Sequence, residues 1–338
     1  MNILVVIAMA VFAPLNFLLL APQGVFFNAP VAKSVTEENR GEVRGVEVAK
    51  AAKFTERVEP QAPPQPIRKS GIADLKVPNA YASLILDVDS GTILHYSNGQ
   101  ERRQIASLTK VMTAILVMER VKDLNEVVTI DADAVYTIGT RVGCPTSGNC
   151  ITQRLKVGEK ISVLNLMKAM LMNSANDAAI ALSKHVSGTE EKFVALMNEK
   201  AKAMDLKDTH FCSASGLEPD GREMECYSSA YDVARIGAYS MRFSLIWDIF
   251  RLPNNTEVQS ADGSCTHTIL NTDLLLNEIP QCLGGKTGFT PLAGKSLLLA
   301  ASDESNKHRI IAVVLNDPYR WEDVKRMLNW AFQSYEWK

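Results

Sequence analysis

Three short stretches of this 338-residue chain combine side chains that could do chemistry. Ser107-Leu108-Thr109-Lys110 sets a hydroxyl and an amine at i and i+3, which on a helix project from one face. A serine hydroxyl is a weak nucleophile and needs an adjacent base. A lysine amine can be that base if burial and a nearby cation depress its pKa. A helix N-terminus adds backbone N–H groups that favour a developing oxyanion. Ser174-Ala175-Asn176 offers a hydroxyl that can pass protons and an amide that can hold a peptide group through donor and acceptor together. Lys286-Thr287-Gly288 offers a cation and a hydroxyl for a carboxylate, and a glycine that lets a substrate backbone approach closely. Each string alone is weak. Roughly one S-x-x-K is expected by chance in such a chain, and Ser and Asn are ordinary helix caps. A second S-x-N, Ser147-Gly148-Asn149, competes with the first. It has no helix leading into it, whereas Ser174 lies between two apolar helical stretches, and Ser174 is therefore preferred.

The elements that must position these groups are readable from pattern. Ala82–Val88 and Thr92–Tyr96 are strand-like runs around the turn Asp89-Ser90-Gly91, which predicts a hairpin. Apolar residues at Leu108, Val111, Met112, Ile115, Leu116 and Met118 suit a largely buried helix from Ser107 to Val121. Ser162 reads as the N-cap of a helix over Leu164–Met172. Further helices are expected from about Asp177 to Gly188, from Thr189 to Met204 with acidic residues in the first turn, and from Ser229 to Phe243. Strands return at Leu297–Ala301 and Ile310–Leu315, and an amphipathic helix closes the pattern over Trp321–Tyr335. This order predicts an α+β body: an antiparallel sheet flanked by helices, with a helical lobe inserted between its strands.

Taken together, S-x-x-K, S-x-N and K-T-G in this order match a signature of β-lactamases and penicillin-binding proteins. The chain resembles the low-molecular-mass penicillin-binding proteins of the serine D-Ala-D-Ala carboxypeptidase type, the S11 peptidases. The resemblance runs from about Tyr81 to Phe332. It is carried by Ala106–Ala114, by Asn173–Ala179 with Phe193-Val194 and Met197-Asn198, and by Gly285–Thr290 with Ala293-Gly294. It implies a β-lactamase/DD-peptidase-like fold and an acyl-enzyme on Ser107. Lys110 would take the serine proton, and Ser174 would help return a proton to the leaving D-alanine. Asn176 would hold the substrate backbone, Lys286 would set the local field, and Thr287 would bind the terminal carboxylate beside Gly288. The N–H groups of Ser107 and Phe289 would form an oxyanion hole. Arg320 falls where the family carries an arginine near the carboxylate pocket, although a surface arginine at the start of the last helix is an equal reading. The implied partners are peptidoglycan stem peptides ending in D-Ala-D-Ala, with β-lactams as covalent inhibitors and no cofactor.

Three alternatives stay open. A D,D-endopeptidase would carry the same motifs. A β-lactamase would be expected to show E-x-x-L-N after the second motif, and that string does not occur there. A catalytically dead wall-binding module would lack some of the motif side chains. The family often adds a C-terminal β-rich domain and amphipathic anchor, whereas this chain stops soon after its last helix. The stretch between Cys144 and Cys150 looks like an insertion beside the cleft.

The rest of the chain bounds compartment and partners. Residues 3–21 are uncharged and apolar, near the length of a spanning helix, so an N-terminal membrane anchor is expected. A cleaved signal segment is the alternative, and either exports the body. The expected organisation is an anchor or signal at 1–22, a disordered Pro-containing linker at 23–80 and a catalytic domain at 81–338. With 36 basic and 38 acidic residues, nothing argues for nucleic acid. Six cysteines suit an oxidising compartment. The local pairing Cys144–Cys150, Cys212–Cys226 and Cys265–Cys282 is favoured among the 15 that six cysteines allow. No C-x-x-C occurs and the five histidines are scattered, so no metal site is expected.

Overall fold

A computed structural model describes residues 63–145 and 149–338. In chain order its elements are β1 (Pro66–Arg68), β2 (Ala82–Asp87), β3 (Ile93–Ser97), α1 (Lys110–Arg120), β4 (Val127–Thr129), α2 (Ala132–Tyr136), β5 (Lys160–Ser162), α3 (Val163–Met172), α4 (Asn176–Ser187) and α5 (Glu190–Ala203). They continue with α6 (Ala230–Ser240), α7 (Ser244–Phe250), β6 (Thr256–Gln259), β7 (Thr266–Ile269), β8 (Cys282–Thr290), β9 (Gly294–Ser302), β10 (Arg309–Leu315), α8 (Arg320–Ser334) and β11 (Tyr335–Trp337).

The apolar runs of β2, β9 and β10 carry no polar alternation because both faces of their sheet are covered. Side chains alternate between faces along a strand. In β10, Ile311, Val313 and Leu315 join the core shared with the helical lobe, while Ile310, Ala312 and Val314 join a second core under α8. The sheet has the order β3-β2-β10-β9-β8 with every neighbour antiparallel. The first two strands therefore pair with the last three, and the helices α1–α7 are inserted between them. The expected α+β architecture is the one observed. Glycine at 237 in α6 lets that helix press onto the sheet, since a Cβ there would lie 2.9 Å from a Leu298 methyl.

The caps follow their sequence signals. Ser162, Thr189 and Ser229 each accept a bond from the backbone N–H three residues on, at the starts of α3, α5 and α6. Gly188 ends α4 at φ 85°. Not read from the sequence were the short helices α2 and α7 and the β6–β7 hairpin.

Two expectations need correction. Residues 63–80 are not linker. β1 pairs with β11, Val77 is buried, and Trp330 donates from Nε1 to the Ala73 carbonyl at 3.0 Å. Proline suits the first position of such an edge strand, where its missing N–H costs nothing. The ordered body therefore begins before Tyr81; the expected anchor and the rest of the expected linker lie outside the described residues. Cysteine pairing is right for Cys144–Cys150 and Cys212–Cys226 but not for the third pair. Cys265 sits on the β6–β7 turn and Cys282 is buried at the start of β8, and both are free thiols. They belong to different sheets, so proximity in sequence does not bring them together.

Candidate active site

The chain enters α1 through a 3₁₀ turn, Ala106–Thr109, not through the helix itself. In that geometry side chains at i and i+3 eclipse one another. The Lys110 Nζ accordingly lies 2.8 Å from the Ser107 Oγ. Ala106 before the serine has φ 47°, a left-handed value that turns the backbone sharply into the site. Ser107 is half-buried and reachable, whereas Lys110 is fully buried.

Lys110 has two more partners, the Asn176 Oδ1 at 2.7 Å and the Ser215 carbonyl at 2.6 Å. Both are oxygens that only accept. A neutral amine has two N–H groups and one lone pair. If the N–H groups go to Asn176 and Ser215, the lone pair faces the Ser107 hydroxyl. Burial, and secondly the charge of Lys286, hold the Lys110 amine well below the ordinary lysine value. Asp177 and Glu190 oppose that shift.

Ser174 and Asn176 sit at the α3–α4 junction, and the loop after α2 grips both. The Thr140 hydroxyl donates to the Ser174 carbonyl at 2.7 Å, and the Asn176 N–H donates to the Thr140 carbonyl at 2.8 Å. The Asn176 Nδ2 donates to the Ile138 carbonyl at 2.8 Å, which fixes the direction of the Oδ1 that faces Lys110. Ser174 has φ 57°, a conformation that costs a non-glycine residue and persists only where its surroundings impose it. Asp177, almost wholly buried, accepts from the Val142 N–H at 3.0 Å, and desolvation raises its carboxyl to about 6.

Lys286, Thr287 and Gly288 lie within β8, on the opposite wall. The Lys286 Nζ donates to the Ser174 Oγ at 2.9 Å. It is fully buried, and burial together with the Arg320 charge lowers its amine to about 7. The Thr287 and Thr272 hydroxyls are bonded at 2.9 Å. Phe289 is 61% exposed at the cleft edge. Gly288 has a packing reason as well as the expected one: a Cβ there would lie 2.8 Å from the Ile105 carbonyl. Arg320 donates to the Gly288 and Ser296 carbonyls at 3.0 and 3.1 Å. It therefore braces β8 against β9 behind the motif, and is not a free surface arginine.

The three motifs thus meet in two hydrogen-bonded sets, Ser107–Lys110–Asn176 and Ser174–Lys286, linked through the Ser174-Ala175-Asn176 backbone, with lysines in two of the three walls. Ser147 and Gly148 of the competing S-x-N lie outside the described residues. Sequence reasoning missed Ser215, Ile138 and Thr140. They act largely through backbone carbonyls, which every residue has, so no side-chain signal marked them. Among the described residues no cluster of His, Cys, Asp and Glu could hold a metal ion.

A serine–lysine pair close to a second lysine thus stands on a five-stranded antiparallel sheet with an inserted helical lobe. The model of the D-alanyl-D-alanine carboxypeptidase family, peptidase S11, matches residues 72–319, and the chain belongs to that family. D-alanyl-D-alanine carboxypeptidase DacF of Bacillus subtilis is 32% identical over 260 residues, 76% of this chain and 63% of that protein. D-alanyl-D-alanine carboxypeptidase DacB2 of Mycobacterium tuberculosis is 30% identical over 254 residues, 74% of this chain and 81% of that protein. The chain spans 62–64% of the length of most of the curated relatives it matches. The crystal structure of penicillin-binding protein 5 from Haemophilus influenzae is similar at a TM-score of 0.67 with 29% identity, over 78% of this chain and 73% of that one. Penicillin-binding protein 6B from Escherichia coli gives a TM-score of 0.65 with 27% identity, over 79% and 85%.

Proposed function

We propose that this chain is a serine D-Ala-D-Ala carboxypeptidase that removes the terminal D-alanine of peptidoglycan stem pentapeptides through an acyl-enzyme. The observation that carries the reading is the Lys110 amine, buried and 2.8 Å from Ser107, with two acceptor oxygens claiming its N–H groups. In this reading Lys110 takes the Ser107 proton as Oγ attacks the carbonyl of the D-Ala-D-Ala bond. The N–H groups of Ser107 and Phe289 receive the oxyanion. The proton taken by Lys110 returns by way of the Ser174 hydroxyl, which is bonded to Lys286, to the nitrogen of the departing D-alanine, and the C–N bond breaks. Thr287, with Lys286 behind it, receives the terminal carboxylate, while Asn176 holds the peptide backbone. Water then hydrolyses the ester on Ser107 and restores the hydroxyl.

Covalent labelling by a fluorescent penicillin tests the nucleophile. The wild type is expected to be labelled and Ser107→Ala not; an unlabelled wild type, or a labelled variant, would sink the assignment. Digestion of muropeptides read by mass spectrometry tests the substrate. Loss of one alanine supports the carboxypeptidase, and conversion of dimers to monomers would replace it by an endopeptidase. Nitrocefin turnover is expected to be slow; rapid turnover would favour a β-lactamase.

We place the body outside the cytoplasm, held at the membrane through residues 3–21. Two disulfides support an oxidising compartment. Among the described residues no helix is long and apolar enough to cross a membrane. The full chain is expected in the membrane fraction and a chain starting at Pro60 in the soluble exported fraction; equal partition of the two would refute the anchor.

A further inference from the structure

Glu190 and Glu191 open α5, and both look like acids placed to complement a helix dipole. Only Glu191 behaves so. It is exposed, and hydrogen bonds from its own helix N-terminus, its own N–H and the Thr189 side chain, hold its carboxyl below the ordinary value. Glu190 is half-buried and turns to another segment: its Oε1 accepts from the Ala214 N–H at 2.9 Å.

The segment it holds is the one behind Lys110. Ala214 and Ser215 are buried. The Ala214 carbonyl accepts from the Thr113 hydroxyl at 2.7 Å, and the Ser215 carbonyl accepts from the Lys110 Nζ at 2.6 Å. Gly216, at φ 83°, passes so close to the 3₁₀ turn that a Cβ would lie 2.0 Å from the Ala106 carbonyl. Cys212–Cys226 closes the loop around this turn.

We infer that Glu190 is a positioning residue for Lys110: its carboxylate holds the Ala214 N–H at the head of the Ala214–Ser215 segment, which aims the Ser215 carbonyl at the lysine amine, and it sets a negative charge behind that amine. The inference rests on the serine–lysine chemistry proposed above. The two contributions are separable. The hydrogen bond directs one Lys110 N–H away from Ser107 and leaves the lone pair on the hydroxyl. The charge supports the ammonium form.

The charged groups that face Lys110 are Lys286 on β8, Asp177 on α4 and Glu190 on α5. Lys286 lowers its proton affinity, and the two carboxylates raise it. Around Glu190 stand Glu191 on α5, Lys184 on α4 and Asp133 on α2, and burial raises the Glu190 carboxyl above its usual value. Glu190 lines a groove with Ile138 and Ser215.

The test is the pH profile of acylation by a fluorescent penicillin, measured from pH 5 to 9 on the wild type, Glu190→Gln and Glu190→Ala. Acylation needs the neutral amine, so its rate rises with pH through the Lys110 pKa. Glu190→Gln keeps an oxygen for the Ala214 N–H and removes the charge. Its plateau is expected to match the wild type while its rising limb moves to lower pH by on the order of half a unit. Glu190→Ala is expected to show the same shift and a plateau roughly tenfold lower, because the Ser215 carbonyl is no longer held. A merely structural role would change thermal stability and plateau but leave the limb in place. Labelled variants with an unmoved limb would overturn the inference and leave the function standing. An unlabelled wild type would overturn the function itself. Unfolding of Glu190→Ala alone is answered by Glu190→Gln, whose limb shift decides.

Discussion

Lys286 destabilises the fold that it serves. It is buried with a folded pKa of about 7, against roughly 10.4 for a lysine in an unfolded chain. Between those values the unfolded chain holds a proton that the folded protein does not, so stability rises with pH across the window. The penalty is complete below about pH 7 and gone above about pH 10.4. Its size at neutral pH is on the order of a few kcal/mol. Lys286→Met keeps the length without the charge. It is expected to flatten the dependence of stability on pH and to be more stable than the wild type near neutrality, while penicillin acylation falls roughly a hundredfold. Urea denaturation at pH 7 and pH 9 measures this, and parallel slopes for the two proteins would show that Lys286 titrates normally. At this scale the grouping of the candidate residues was largely legible in the sequence, because Ser107, Lys110, Ser174, Asn176, Lys286 and Thr287 meet or face one another through their side chains. What escaped was their support. Ser215 and Ile138 contribute a carbonyl each, and Arg320 looked equally like a surface residue until its bonds to Gly288 and Ser296 were seen.

At the scale of elements, the segment between α2 and the Cys144–Cys150 bridge acts as a splint for the α3–α4 junction. Thr140 binds both motif residues, one through its hydroxyl and one through its carbonyl. Thr140→Val removes the hydroxyl and keeps the shape. One hydrogen bond of about 1 kcal/mol corresponds to roughly a fivefold slower acylation if the strained Ser174 backbone relaxes. Stopped-flow acylation with a chromogenic β-lactam checks this; an unchanged rate would show that the junction holds Ser174 without Thr140. Long helices were readable because their apolar faces repeat, and β2, β9 and β10 because they are near-continuous apolar runs. The seven-residue α7 and the four-residue strands of the β6–β7 hairpin are too short to show a period. Their order depends on packing that no local pattern records.

For the whole molecule, the error of note was the boundary at Tyr81. Proline and charge made residues 63–80 read as solvated chain. In the fold, Leu75 and Val77 join the core under α8, and β1 completes a small sheet with β11. Burying one valine-sized side chain is worth about 1.5–3 kcal/mol. A chain starting at Tyr81 is therefore expected to melt roughly 5–10 °C below one starting at Pro60, with the serine–lysine site still labelled by penicillin. Differential scanning calorimetry of the two chains decides; equal melting temperatures would restore the boundary at Tyr81.

The β1–β11 pairing also decides how the body answers a pull. Residues 66–68 lie in a two-stranded sheet that shares no ladder with the five strands holding Lys286 and Thr287. Tension on the chain before Pro63 meets this short ladder first. Load on the N-terminal side is therefore expected to strip the three residue pairs of β1 and β11 before it reaches the ladders of β2, β10, β9 and β8.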